Sequence, residues 1–402
     1  MTMSKRKSCR EPFIVSLSTR AVHAGEERRK FADSITTPIC QTSTFTFKDS
    51  REIEDYTRRG MTHYEYGRYG NPTATIAEKR LADLEGAEDC VVFSSGMSAI
   101  TTTILSLVQS GDHIVITDDS YKKTLEFCRS YLKQFAIQCT IVSFGDYAAL
   151  ERAIRPNTRF IFSESPTNPY LNIFDLERLR EIGRRHKVLT LIDSTFATPY
   201  NQRPLEFGID LVLQSCTKYL AGHNDILAGA VLGRKALTEK IRDLHKSMGG
   251  TIDPHCCYLL LRGLKTFPLR VARQNETALE IARWLETYPK IKRVYYPFLP
   301  SHPHYKVATT QMRGGGGVVT FETKGTMSGA KRFLDALKLC FIGPSLGGVE
   351  TLITHPALVS YYNYSRKARY DLGITDTLFR LAVGIEDADD IMADLERALR
   401  CV

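Results

Sequence analysis

"RFIFSESP" (159–166), "DLERLREIGRRH" (175–186) and "VLTLIDST" (188–195) follow one another along the chain. The outer two are short runs rich in Val, Ile, Leu and Phe. The middle one repeats apolar residues at helical spacing. This is a strand–helix–strand unit, and a helical crossover between two strands lays them parallel. Strands that are apolar throughout, without alternation, are buried on both faces.

The same grammar extends in both directions. Upstream, "TIAEKRLADLEG" (75–86) is a helix ending at Gly86. "DCVVFSS" (89–95) is a strand that opens onto the apolar helix "GMSAITTTILSLV" (96–108). "DHIVITDD" (112–119) and "CTIVSF" (139–144) are strands, followed by helices "TLEFCRSYLKQF" (124–135) and "AALERAI" (148–154). Downstream, "DLVLQSCTK" (210–218) and "LAGAVLG" (227–233) are further strands. The pattern predicts an α/β fold around a mostly parallel sheet covered on both faces.

The flanks differ. Residues 1–60 are polar, with Ser/Thr runs such as "TTPICQTSTFTF" (36–47), and read as an arm that contacts a partner subunit. A large domain spans 61–260. Residues 261–402 form a smaller α+β domain, with "GGVVTFET" (316–323), "GAKRFLDAL" (329–337), "FRLAVGIED" (379–387) and "DIMADLERAL" (390–399). A long helical region including "PLRVARQNETALEIARWLE" (268–286) leads into it. "GGGG" (314–317) precedes a strand rather than a helix, so it reads as a turn rather than a phosphate cradle.

Composition narrows the function classes. The chain has 402 residues, too long for one ordinary core, with 43% apolar and 25% charged residues. Its apolar runs fall short of the ~18 residues that suggest a membrane span. "MTMSKRKSCREPF" (1–13) is basic but leads into no apolar core, which points away from secretion and toward the cytoplasm. The net charge of +9 is scattered in short clusters, at 5–7, 121–123 and 184–186, without the aromatic-interleaved stripe of a nucleic-acid binder. Ten cysteines include no CxxC pair, and adjacent Cys256 and Cys257 are poorly placed for a mutual disulfide. "SHPH" (301–304) reads as a turn rather than a metal site.

In parallel sheets, ligands sit at the carboxyl ends of the strands. The residues falling there are Ser95–Met97, Asp119–Lys123, Ser165–Pro169, Asp193 and Ser215–Lys218. Ser95-Gly96-Met97 opens a helix, which is either a simple Ser N-cap or a phosphate seat. Asp193 ends an apolar strand and is either a turn Asp or a desolvated carboxylate in need of a cationic partner. Lys218 follows Ser215 and Thr217, and a buried lysine there can form a Schiff base once burial lowers its pKa. A lysine for an aldehyde, a carboxylate for a ring nitrogen and hydroxyl and N–H donors for a phosphate are what pyridoxal 5'-phosphate needs.

In order along residues 15–400, seven motifs carry a resemblance: "YEYGRYGNPT" (64–73), "SSGMSA" (94–99), "ESPTNP" (164–169), "IDSTFATPYNQRPLEFGIDLVLQSCTKYLAGHND" (192–225), "RGLKT" (262–266), "SLGGVETLI" (345–353) and "RLAVGIED" (380–387). They resemble the Cys/Met-metabolism (trans-sulfuration) pyridoxal-phosphate enzymes, which include cystathionine γ-synthases, cystathionine γ- and β-lyases and methionine γ-lyases. The resemblance implies a PLP-dependent transferase fold of type I, with a seven-stranded sheet in the large domain. It implies a homotetramer of two tight dimers whose active sites are shared across the dimer interface.

Carried onto this sequence, the resemblance makes Lys218 the lysine that binds the cofactor and later shuttles protons. Asp193 pairs with the ring nitrogen and Tyr121 stacks on the ring. Gly96 and Met97 N–H groups, with the Ser215 and Thr217 hydroxyls, hold the phosphate. Tyr66 and Arg68 reach it from the neighbouring subunit. Arg380 clamps the substrate carboxylate, helped by Ser345 and Asn168. Within the family, a Cys marks methionine γ-lyases where this chain has Lys123, and a Glu common before "SLGG" is here Pro344. "SYKKT" (120–124), "GHNDILAG" (222–229) and "PSLGG" (344–348) are most similar to the plant-type cystathionine γ-synthase branch. That implies small amino-acid substrates, an activated homoserine and cysteine, with γ-elimination or a specialised γ-replacement as alternatives. Lys122 and Lys123 beside Tyr121 either meet an anionic leaving group or face solvent.

Overall fold

The computed structural model describes residues 15–402. The basic run at 5–7 lies outside the described residues.

The predicted strands all form, and the strand–helix alternation holds apart from one broken helix. Strands β1 (Asp89–Phe93), β2 (His113–Thr117), β3 (Gln138–Val142), β4 (Thr158–Glu164), β5 (Leu189–Asp193), β6 (Leu211–Gln214) and β7 (Gly229–Gly233) form one seven-stranded sheet of order β1-β7-β6-β5-β4-β2-β3. The β6-β5-β4-β2-β3 pairs are parallel, and only β7 runs antiparallel, against both β6 and β1. Side chains alternate across the sheet. Phe160 and Phe162 of β4 pack on one face with Phe93, Ile116 and Leu213, while Ile161 packs on the other with Val115 and Ile192. Phe160 and Phe162 are essentially inaccessible. Burying such a side chain stabilises the fold by roughly 1.5–3 kcal/mol.

The smaller domain is built on a second sheet, from β8 (Ile291–Tyr295), β9 (Val318–Thr323), β10 (Phe341–Ile342), β11 (Leu352–Thr354) and β12 (Leu378–Ala382), in the order β10-β11-β12-β9-β8. The glycine run at 314–317 leads into β9, as the turn reading requires.

The structure departs from the sequence reading in three places. Within the segment read as an arm, residues 15–60 are described and carry two α-helices. Helix Leu17–His23 places Ala21 in the core beside Leu81 and Leu261 of its own chain, and Glu26 pairs with the buried Arg80 at 2.5 Å. A second helix, Ser50–Arg59, is capped by Asp49 and ended by Gly60. The boundary placed at 260/261 is bridged by one 34-residue helix, Pro254–Thr287, which runs through Pro268 and buries residues against both sheets. Finally, the helix expected at 124–135 is broken into an α turn (Lys122–Glu126), a π segment and a 3-10 turn.

Candidate active site

The carboxyl ends of β1, β2, β4, β5 and β6 open on one cavity of about 340 Å³. The large domain lines it with Gly96, Met97, Tyr121, Glu164, Asn168, Asp193, Ser215 and Lys218. The small domain closes it with Pro344, Thr354 and Arg380. Residues from five separate strand ends and a second domain therefore converge, as the sheet topology dictates.

One end of the cavity is built for an anion. Helix Gly96–Leu107 starts there, capped by the Ser95 hydroxyl, which accepts the Ser98 N–H at 3.1 Å. The N-cap reading of Ser95 and the phosphate reading of Gly96 and Met97 are compatible. The cap satisfies a deeper N–H, while the first-turn N–H groups of Gly96 and Met97 lie beyond the reach of the helix's own carbonyls. Glycine at 96 keeps the cradle open, because a Cβ there would lie 3.0 Å from Ser215 Cβ and 3.1 Å from its hydroxyl, tight enough that Ser215 would have to give way. Thr217 also lines the cavity, but its hydroxyl already bridges the backbone of Ala228, donating to the carbonyl at 3.2 Å and accepting the N–H at 2.9 Å.

The opposite wall carries acids. Asp193 is buried, and only its Oδ1 is engaged among the described residues, by the Thr195 N–H at 3.0 Å and hydroxyl at 2.6 Å. Burial raises its pKa, against the pull of those two donors. A desolvated carboxylate with one oxygen turned to a cavity suits a protonated ring nitrogen. Glu164 lies beside it, at the neighbouring register position of β4. Its carboxyl accepts the Tyr121 backbone N–H at 2.8 Å. Burial first, then Asp193 and Asp119, push its pKa well above the usual carboxylate range. Sequence reading gave Glu164 no role. The signal that could have found it is the one that marked Asp193, an acid ending an apolar strand.

Lys218 sits between these walls. Its Nζ donates to the Ser345 hydroxyl at 3.0 Å. Burial, then the Arg380 charge, lower its pKa to about 8. Such an amine is neutral often enough near neutrality to attack an aldehyde. Arg380 is 5% exposed and pairs with no carboxylate among the described residues. Its guanidinium donates to Asn168 Oδ1 at 3.1 Å, the Pro344 carbonyl at 2.8 Å and the Ser345 carbonyl at 3.0 Å. Its Nε is buried without a partner. Burial brings its pKa down to about 10, so it remains a cation seeking an anion.

The structure thus gathers Lys218, Asp193, Tyr121, Gly96, Met97, Ser215, Thr217, Arg380, Ser345 and Asn168. It leaves out the remaining candidates. Tyr66 and Arg68 lie on another face, where Arg68 donates to the Lys246 carbonyl and stacks over Tyr66 and Tyr69. Lys123 is exposed and paired with Glu126 at 2.8 Å. Its neighbour Lys122 turns the other way. Its Nζ donates to the carbonyl of the cavity-lining Ser360 at 2.7 Å and lies over Tyr361 and Tyr364.

Anion cradle, desolvated carboxylate, lowered lysine and free guanidinium together fit pyridoxal phosphate bound to an amino acid. A family model described as "Cys/Met metabolism PLP-dependent enzyme" matches residues 18–400. The chain is 44% identical to the chloroplastic cystathionine γ-synthase 1 of Arabidopsis thaliana over 97% of its own length and 70% of that protein. It is 40% identical to an L-methionine γ-lyase of Fusobacterium nucleatum, over 95% of this chain and 98% of the lyase. Among solved structures, metB from Corynebacterium glutamicum matches with a TM-score of 0.90 and 36% identity, covering 97% and 99% of the two chains.

Proposed function

Given that the chain belongs to the Cys/Met metabolism PLP-dependent enzymes, we propose that it catalyses γ-replacement: an activated homoserine and cysteine combine to form cystathionine. The higher identity to the plant synthase than to the lyase supports replacement over elimination. The observation that carries the amino-acid part is the buried Arg380 guanidinium, with its unpartnered Nε, beside the Lys218 amine.

Pyridoxal phosphate, when bound, supplies an aldehyde for amines and a ring that withdraws electrons from the carbon next to the amine. The chain's residues do the rest. Gly96, Met97 and Ser215 would hold the phosphate end, and Asp193 would keep the ring nitrogen protonated. Tyr121, fixed through its N–H by Glu164, would cover the ring. Arg380 and Asn168 orient the substrate carboxylate, which aims the Cα–H at Lys218. The Lys218 amine, near neutral, takes the proton from Cα, and proton removal at Cβ then allows the γ-substituent to leave. Cysteine sulfur adds at Cγ with loss of its own proton, Cβ regains the proton it gave up, and Lys218 returns the Cα proton.

A phosphate leaving group is favoured by Lys122 rather than Lys123. Lys122 sits on the Ser360 rim of the cavity, whereas Lys123 is already neutralised by Glu126. The proposal extends to a homotetramer in which Tyr66 and Arg68 serve a partner's cavity, since neither lines its own. Mixing inactive Lys218→Ala and Arg68→Ala chains should then regenerate activity.

The deciding experiment supplies phospho-, acetyl- and succinylhomoserine with and without cysteine. Cystathionine should dominate with cysteine, fastest from the phospho form. Ketoacid release that dominates even with saturating cysteine would overturn the replacement reading.

A further inference from the structure

The long helix Pro254–Thr287 contributes no residue to the cavity. Yet two polar side chains, four residues apart on one of its faces, are bonded to the backbone on either side of it.

Arg270 is 5% exposed and pairs with no carboxylate among the described residues. Its guanidinium donates to the Tyr219 carbonyl at 2.8 Å, the Leu220 carbonyl at 3.4 Å and the Gly263 carbonyl at 2.9 Å. Its Nε donates to the Thr266 hydroxyl at 3.3 Å. Tyr219 and Leu220 directly follow Lys218. The turn closes at Gly222, whose N–H bonds the Lys218 carbonyl at 2.8 Å and whose φ is +74°. A Cβ on Gly222 would fall on the Arg270 guanidinium, so glycine there admits the arginine as well as the left-handed backbone. Burying a cation against carbonyls alone is costly, and burial lowers the Arg270 pKa to about 10. A planar fork matched to these carbonyls holds the turn in one geometry.

Gln274 is fully buried. Its amide donates to the Gly348 carbonyl at 2.8 Å and to the Val383 carbonyl at 3.1 Å. Gly348 ends the segment that begins with Ser345, and Val383 lies just beyond Arg380 on β12. The two clamped segments also touch. A Cβ on Gly347 would come within 2.6 Å of the Tyr219 nitrogen.

We propose that Arg270 and Gln274 are positioning residues that set the gap between the cofactor lysine and the substrate carboxylate clamp. Arg270 aims Lys218 from the large-domain side. Gln274 holds Ser345 and Arg380 from the small-domain side. This assignment rests on the pyridoxal-phosphate reading of the cavity.

The test uses full-length loaded enzyme carrying Arg270→Gln, Arg270→Lys, Gln274→Leu or Gln274→Glu. Three quantities are read: thermal midpoint, pH midpoint of the cofactor's visible band, and the glycine concentration that half-shifts that band. The Arg270 variants should move the band's pH midpoint by roughly half a unit or more. Arg270→Lys should recover thermal stability more fully than it recovers the band, because it keeps the charge and loses the fork. The Gln274 variants should leave the band's midpoint in place and raise half-saturating glycine about tenfold. Thermal midpoints that fall while both other readouts stay within twofold would overturn the proposal. So would parallel changes in both readouts for both residues, which signal general loosening. A wild type that takes up no pyridoxal phosphate would instead overturn the reading of the cavity, and this assignment with it.

Discussion

Two lysines follow two strands of the same sheet, Lys218 after β6 and Lys123 after β2, and they meet opposite fates. Lys218 is mostly buried and bonds a hydroxyl, and burial, then the neighbouring Arg380 cation, bring its pKa down to about 8. Lys123 is exposed, bonds Glu126 three residues on, and has its pKa raised by that carboxylate. Both look alike in a sequence: a lysine among polar residues past an apolar run. What separates them is the environment that the rest of the chain builds. Around Lys218, the strand ends and the 345–348 segment bury the amine, give it a hydroxyl to bond and set the Arg380 cation near it, and among the described residues no carboxylate pairs with it. Around Lys123 a short surface helix supplies its own counter-charge.

Removing Lys218 should therefore produce the largest effect. Lys218→Ala is expected to lower kcat/KM by ~10⁴-fold or more, as for other covalent and proton-shuttling groups. Steady-state assays would check this, and residual activity within tenfold of wild type would erase the distinction between the two lysines. Next comes Arg380→Lys, which keeps the charge and loses the fork. A hydrogen bond to a charged group is worth about 1.5–3 kcal/mol, so kcat/KM should fall about 10- to 100-fold. The loss should be larger for amino acids than for amines that lack a carboxylate.

A pH test sharpens the contrast further. In the cofactor-free chain, capture of pyridoxal phosphate should rise with pH through about 8, because only the neutral Lys218 amine attacks. The same shift links to stability. The folded-state pKa is depressed from 10.5 to about 8, so between those values the unfolded chain holds the extra proton. The cofactor-free protein should gain stability as pH rises across that window, and Lys218→Ala should remove the gain in denaturant titrations. Lys123→Ala should leave it unchanged.

The smallest effects belong to the rim. Lys122→Ala should erode a preference for phosphohomoserine several-fold, since its charge has no carboxylate partner among the described residues and it touches Ser360. Lys123→Ala should change that preference less than twofold. The reverse order would move the specificity determinant back to Lys123.

These contrasts show which features were legible in the sequence. The parallel sheet was, because apolar strands and helical spacing repeat locally. So were Asp193, Gly96 and Lys218, because the carboxyl end of a strand is a position that sequence order defines. Glu164 satisfied the same rule and was passed over. The helix Leu17–His23 was not legible, because its packing depends on Leu81 and Leu261, far along the chain. Nor was the direction of Lys122 or Lys123, which Ser360 and Glu126 decide. Arg270 and Gln274 lie inside a helix with no local motif. Their meaning comes from backbone carbonyls 50 to 109 residues away.

The central claim is that the turn after β6 carries the one lysine the chemistry is built on. Borohydride reduction of the loaded protein, followed by peptide mapping, tests it most directly. The cofactor should be fixed to the peptide containing Lys218, with Lys122 and Lys123 unmodified. A stoichiometric label on any other lysine, with Lys218 unmodified, would contradict the account.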